Sequence, residues 1–275
     1  MSSQPTTGTT ALGPRIAQGR TAEVFAWHDG CVIKLFFDWC PAEWVQHELE
    51  IGQVLATLDL PTPKVMARVA VDGRDGLIYE RVDGPSMLAN LTAAPWRVGS
   101  IARSFAEVHA GIHQRPGGGF VRLHPMLEQA IDHSDAIPVA LKAPILSTLR
   151  RLPEGTALCH FDFHPDQVLV TASGCAVIDW MSACQGDQLA DVARTAILFM
   201  VGNPPAASWL TRAIIQQVRR RFYRTYLARY RELAPSFSEE RLHAWMLPVA
   251  AARLTDAIPG EREPLLAFLQ RAARP

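Results

Sequence analysis

The densest group of chemically capable side chains lies in LCHFDFHPDQVLVTASGCAVIDW, residues 158–180. Asp162 and Asp179 each stand at the edge of a β-prone run, and the segment between them reads as a hairpin. Two carboxylates aimed at one point suit divalent-cation binding or acid–base chemistry. His160 and His164 flank the first carboxylate. Alternate residues of an extended chain point the same way, so His160, Asp162 and His164 admit a second reading as the ligand triad of a metal-dependent hydrolase. Pro165 follows at once, however, and no further His/Asp cluster with ligand spacing appears. Far upstream, Lys34 follows the apolar run Cys31–Ile33 inside a strand pattern, an unusual place for a solvated lysine. Gly19 sits earlier still, in a turn before a strand.

The elements that must hold these residues divide the chain in two. Val24–Trp27 and Cys31–Phe36 are apolar and β-prone, with His28-Asp29-Gly30 as a turn between them, and a further strand ends near Gly19. Residues 41–58 have amphipathic helical spacing with a proline in the first turn. Val65–Val71 and Leu77–Val82 are two more strands, separated by Asp-Gly steps. After Asp83-Gly84-Pro85 the pattern becomes helical, over about 95–113, 138–150, 187–200, 205–232, 237–257 and 262–272. Three short β-prone pieces, 156–159, 168–170 and 176–178, interrupt it. The expectation is an α+β chain: a tail over 1–14, a small antiparallel β-sheet lobe with one helix over 15–82, and a larger, mostly helical lobe over 83–275.

Composition narrows the function classes. Of 275 residues 48% are hydrophobic, enough for a substantial core. Lys+Arg and Asp+Glu balance at 27 each, which gives no overall bias towards nucleic acid, and no nucleic-acid partner is expected. Arg219, Arg220 and Arg221 read as a solvated helix face. Five cysteines without CxxC spacing argue against a disulfide framework or zinc knuckle and for a reducing compartment. The N-terminus lacks the features of a secretory signal, and the apolar runs are too short to cross a bilayer. A cytoplasmic protein without a membrane partner, monomer or homodimer, is expected.

HxDxxxxN followed by a hairpin and IDW is the signature of the aminoglycoside phosphotransferase and choline kinase superfamily, and residues 160–167 resemble it up to the last position. GRTAEVF is similar to that family's glycine-containing nucleotide loop, VIKLF to its strand lysine, YERVDG to its adenine-facing segment, and GDQLADVART to the segment after its metal-binding aspartate. The resemblance implies a bilobal, protein-kinase-like fold and a kinase that uses ATP and Mg2+ to phosphorylate a hydroxyl of a small molecule. It implies that Asp162 is the catalytic base, with His160 bracing the loop, and that Asp179 and Gln167 hold the metal. Lys34, fixed by Glu48, would contact the phosphates, backbone amides of Gly19, Arg20, Thr21 and Ala22 would cover them, and backbone groups of Glu80 and Val82 would take adenine.

Two positions depart from the family pattern. Gln167 stands where asparagine is usual, which moves the amide oxygen by about one C–C bond, roughly 1.5 Å. Phe161 stands where glycine is usual, and a phenylalanine resists positive φ. They define the alternative reading, a catalytically weak nucleotide-binding pseudo-kinase. Asp187 and Asp191 read as capping and bracing residues of the helix from 187 onwards. Trp180 and Trp245 read as core or as acceptor-pocket lining.

Overall fold

The computed structural model describes residues 12–28, 30–201 and 208–272. The expected tail up to residue 11, Asp29 of the first turn and the start of the helix expected from 205 lie outside the described residues. The chain divides into two compact units. One runs to Pro85 and takes in Leu169–Met181; the other comprises Ser86–Val168 and Ser182 onwards.

The first unit is built on a five-stranded antiparallel sheet. Its strands are β1 (Arg15–Gln18), β2 (Ala22–Ala26), β3 (Cys31–Phe36), β4 (Val65–Val71) and β5 (Arg74–Glu80), in the spatial order β1-β2-β3-β5-β4. Side chains alternate faces along a strand, so β3 sends Ile33 and Leu35 one way and Lys34 and Phe36 the other. Ile33 and Leu35 join Cys31 and Ile78 in one core cluster. Phe36 joins Ala22, Leu77 and Val45 in the other. Val45 belongs to α1 (Ala42–Leu55), which Pro41 opens at φ −59°; α1 buries Val45, Glu48, Ile51 and Leu55. A glutamate in that apolar stripe requires a partner, and the face of β3 that bears Lys34 is where α1 packs.

Leu169–Met181 contributes most of a two-stranded hairpin, β8 (Val168–Thr171) and β9 (Gly174–Val177). It is tied to the first unit by the Val170 amide donating to Pro85 O at 2.9 Å and the Val177 amide to Pro61 O at 2.7 Å. The contact at Gly84 is close: a Cβ there would stand 2.1 Å from Val170 O, and its φ is +155°.

In the second unit the expected helices appear as α3 (Val98–His113), α5 (Val139–Arg151), α6 (Gln188–Val201), α7 (Trp209–Leu233), α8 (Glu239–Thr255) and α9 (Arg262–Ala272). A 3₁₀ turn, Pro95–Arg97, precedes α3. Two helices had no counterpart in the sequence reading: α2 (Met87–Ala93), capped by the Ser86 hydroxyl, and α4 (Leu123–His133), which buries Leu123, Leu127 and Ile131. A small sheet places β10 (Cys184–Gly186) parallel to β6 (Val121–Arg122) and antiparallel to β7 (Ala157–Cys159). α3 packs on α7, and α6 on α8.

Candidate active site

In the first unit, the Lys34 ammonium donates to both oxygens of Glu48, at 2.7 and 2.9 Å, and to Asp179 Oδ1 at 3.3 Å. Tyr79 donates its hydroxyl to Glu48 Oε1 at 2.7 Å. Burial alone would lower the Lys34 pKa, but the charges of Glu48 and Asp179 outweigh it and push the value up to about 12. Burial pushes the Tyr79 phenol up, and the Glu48 carboxylate adds to the effect. Glu50, two residues from Glu48, is exposed and accepts from Gln46 instead.

Asp179 leaves β9 in the left-handed region, at φ +62°, a conformation aspartate tolerates better than most residues. Its side chain is 44% exposed. Gly19 and Arg20 are exposed, Thr21 is half-buried and Ala22 is buried. The Gly19 amide is spent inside its own turn, donating to Ala22 O at 2.8 Å. Glu80 is exposed and Val82 half-buried; the Glu80 amide donates to Lys64 O at 2.9 Å.

The second unit holds Asp162, His160 and Gln167. β7 ends at Cys159, and the next residues form a tight loop anchored by one buried carboxylate. Asp191 accepts the amide of His160 at 2.6 Å on Oδ2 and that of Phe161 at 3.0 Å on Oδ1. His113 Nε2 lies 3.2 Å from the same Oδ2. An ionised carboxylate only accepts, so Nε2 carries the proton and His113 Nδ1 accepts from the Tyr230 hydroxyl at 2.7 Å. His109 Nε2 lies 3.3 Å from Oδ2, outside hydrogen-bond alignment. Burial works against the Asp191 charge, but His109 and His113 more than offset it and hold the carboxyl well below its usual range. Burial brings the His109 imidazole down to about 4. Asp191 therefore braces this loop, not its own helix as the sequence reading had it. Asp187 does serve the start of α6, accepting from the Leu189 amide, and also accepts from the indole of Trp245, which is fully buried core.

Phe161 adopts φ +61°, the geometry that glycine would supply at no cost. Its ring is buried, and the Arg194 guanidinium lies over it at 5.4 Å. Phe163, also buried, stacks on Phe105 and His109. His160 is fully buried, and its Nδ1 accepts the Asp162 amide at 3.3 Å. His164 Nε2 lies 3.9 Å from Asp162 Oδ2 and 3.3 Å from Gln167 Nε2. His160, Asp162 and His164 do not converge as a ligand triad. Among the described residues the only such convergence is His109, His113 and Asp191, where hydrogen bonds already occupy the carboxylate.

Asp179 is a hard, partly exposed oxygen donor, and Gln167 offers an amide oxygen in the second unit; both suit magnesium, which prefers oxygen ligands. Asp191 was missed as a loop brace because its partners lie 30 and 31 residues away. The signal available was HxxxH on one helix, His109 and His113, whose i,i+4 spacing puts both imidazoles on one face.

An antiparallel sheet with a helix-borne glutamate on a strand lysine, plus a larger helical part with an aspartate-bearing loop, defines the protein-kinase-like fold. Residues 14–245 match the phosphotransferase enzyme family, and the chain belongs to it. The fold is shared with solved structures at low identity. An aminoglycoside-3'-phosphotransferase of type VIII is 19% identical, with 90% of this chain and 93% of that one covered and a TM-score of 0.59. A choline/ethanolamine kinase family protein from Mesorhizobium loti is 14% identical (98% and 90% covered, TM-score 0.58). An amicoumacin kinase solved with AMP-PNP, Ca2+ and Ami is 13% identical (96% and 87% covered, TM-score 0.63). No curated protein sequence matches significantly. No helix among the described residues is long and apolar enough to cross a membrane.

Proposed function

We propose that this protein is an ATP- and magnesium-dependent phosphotransferase that moves the γ-phosphoryl group to a hydroxyl of a small molecule. The observation that carries the reading is the Lys34 ammonium held by both oxygens of Glu48 while touching Asp179. A structural lysine needs one acidic partner; a phosphate-binding lysine needs a fixed ammonium near a metal-binding carboxylate. In this reading residues 15–82 serve the nucleotide: Lys34 meets the phosphates, the Arg20–Ala22 turn covers them, and the backbone at Glu80 and Val82 takes the adenine. Residues 83–275 supply the catalytic loop and the acceptor site, with Asp162 receiving the hydroxyl proton and His160 fixing the loop. Asp179 and Gln167 would hold magnesium, whose charge offsets that of the triphosphate. Similarity to kinases solved with AMP-PNP or with ADP and streptomycin supports a nucleoside triphosphate as donor.

The test is a thermal-shift titration with ATP, with and without magnesium, beside Asp179→Ala. A magnesium-dependent rise in melting temperature that the variant loses is the expected result. No shift in either condition would sink the reading. Reduced turnover is the second reading, favoured by one contact: Gln167 Nε2 lies 3.3 Å from His164 Nε2, so the orientation of the amide, and with it of the Oε1 that would meet a metal, is tied to His164.

A further inference from the structure

Behind Asp162 lie two arginines that the phosphotransfer reading does not use. Arg194 of α6 and Arg253 of α8 bring Nη2 and Nη1 to 3.9 and 3.8 Å of Asp162 Oδ1. Their side chains are only 6% and 11% exposed. Both are held by acids other than Asp162. Asp256 Oδ2 accepts from Arg194 Nη2 at 2.7 Å and from Arg253 Nη1 at 3.2 Å. Glu261 takes Arg253 in a two-pronged pair at 2.6 and 2.8 Å. Asp162 Oδ1 and Arg194 Nε are both buried without a hydrogen-bond partner among the described residues. Oδ2 is thus the oxygen left to meet a substrate hydroxyl.

Charge counting then decides what can approach. Arg194 and Arg253 offset Asp256 and Glu261 one for one, and Asp162 is the single unbalanced charge of the five groups. A polycation needs several uncompensated carboxylates, and here Asp256 and Glu261 are already consumed by guanidinium groups. An anion would meet the Asp162 charge directly.

We infer that Arg194 and Arg253 are specificity-determining residues that make the acceptor side of Asp162 a site for an alcohol carrying at most one positive charge, not for a polyamine. The inference rests on Asp162 as the base, and its test omits nucleotide, so it stands or falls separately from the magnesium–ATP titration.

Streptomycin serves as the polycation probe, with binding to the wild-type chain followed by calorimetry at low ionic strength. No saturable binding is expected. The double variant Arg194→Met/Arg253→Met leaves Asp162, Asp256 and Glu261 uncompensated. It is expected to bind streptomycin at least about tenfold more tightly than wild type, with loss of that binding in high salt. Arg194→Lys/Arg253→Lys should behave as wild type. One-to-one streptomycin binding by the wild type that Asp256→Asn abolishes would overturn the inference. So would a folded double variant that gains no binding; should the double variant not fold, Arg194→Met alone carries the same two outcomes.

Discussion

Glu48 offers both carboxylate oxygens to the Lys34 ammonium, at 2.7 and 2.9 Å, from the buried stripe of α1. The pair joins the helix to the central strand through charge in an otherwise apolar layer. Lys34→Met strands a carboxylate that is only 6% exposed. A loss of about 3 kcal/mol is expected, since an unpaired buried charge costs more than a missing contact. Lys34→Met with Glu48→Met should recover most of it in urea unfolding, while nucleotide binding stays lost.

The Lys34 pKa stands above its unfolded value of 10.5, at about 12. Its contribution to stability is therefore fully present below 10.5 and is lost as pH rises through 12. The shift corresponds to about 2 kcal/mol. Urea midpoints followed from pH 9.5 to 11.5 should fall more steeply for wild type than for the double methionine variant.

His109 gives the opposite slope. Its folded pKa of about 4 lies below the ordinary 6.5, so the unfolded chain binds the proton first. Stability should be intact above pH 6.5 and should fall towards pH 4 by up to about 1.4 kcal/mol per pH unit. Glutamine in place of His109 should flatten that limb; an unchanged acid limb would contradict a neutral buried imidazole.

Asp191→Asn is expected to lower both stability and turnover. The amide keeps the shape but weakens the hydrogen bonds from the His160 and Phe161 amides and turns a donor towards His113. A loss of about 2–4 kcal/mol follows for a buried charged acceptor. On the proposed function, phosphoryl transfer should drop further than nucleotide affinity, because the loop carrying Asp162, not the first unit, is disturbed.

Phe161→Gly sets two effects against each other. Relief of the left-handed φ returns about 1–2 kcal/mol, whereas removing a buried phenyl ring costs about 3–5 kcal/mol. The variant should melt lower than wild type. Combined with Gln167→Asn it should nonetheless raise turnover if these two residues limit the reaction; a wild type that already turns over briskly would refute that view.

Much of this was legible in the chain. The β3 strand declared itself through CVIKLF, and period two placed Lys34 beside Phe36 on the side that α1 covers. The resemblance gives Glu48 as the partner of the lysine; the burial of Val45, Ile51 and Leu55 shows that its face of the helix is inside, with Glu50 exposed. What was hidden depends on long-range partners. Asp191 looks like a helix residue until the loop amides 30 positions earlier are seen to end on it. Arg194, Arg253, Asp256 and Glu261 form one charge-balanced group only because α6, α8 and the segment after it meet there. The helices α2 and α4 escaped because they are short, one of 7 residues and the other carrying Pro125 in its first turn.

The contact between Lys34 and Asp179 spans 145 positions of sequence, yet both residues belong to the same compact unit. During synthesis the sheet and α1 can form long before the chain has reached Leu169–Met181. The ammonium must then wait for its second acid while more than eighty residues of the helical unit are made. A fragment ending at Pro85 would hold the sheet, Lys34 and Glu48 but not Asp179, so supplying residues 169–181 as a separate peptide asks whether the late-arriving acid can be added to a preformed half. Such non-local closure is slow relative to local helix and hairpin formation, which makes the acquisition of Asp179 a late event in the birth of this protein.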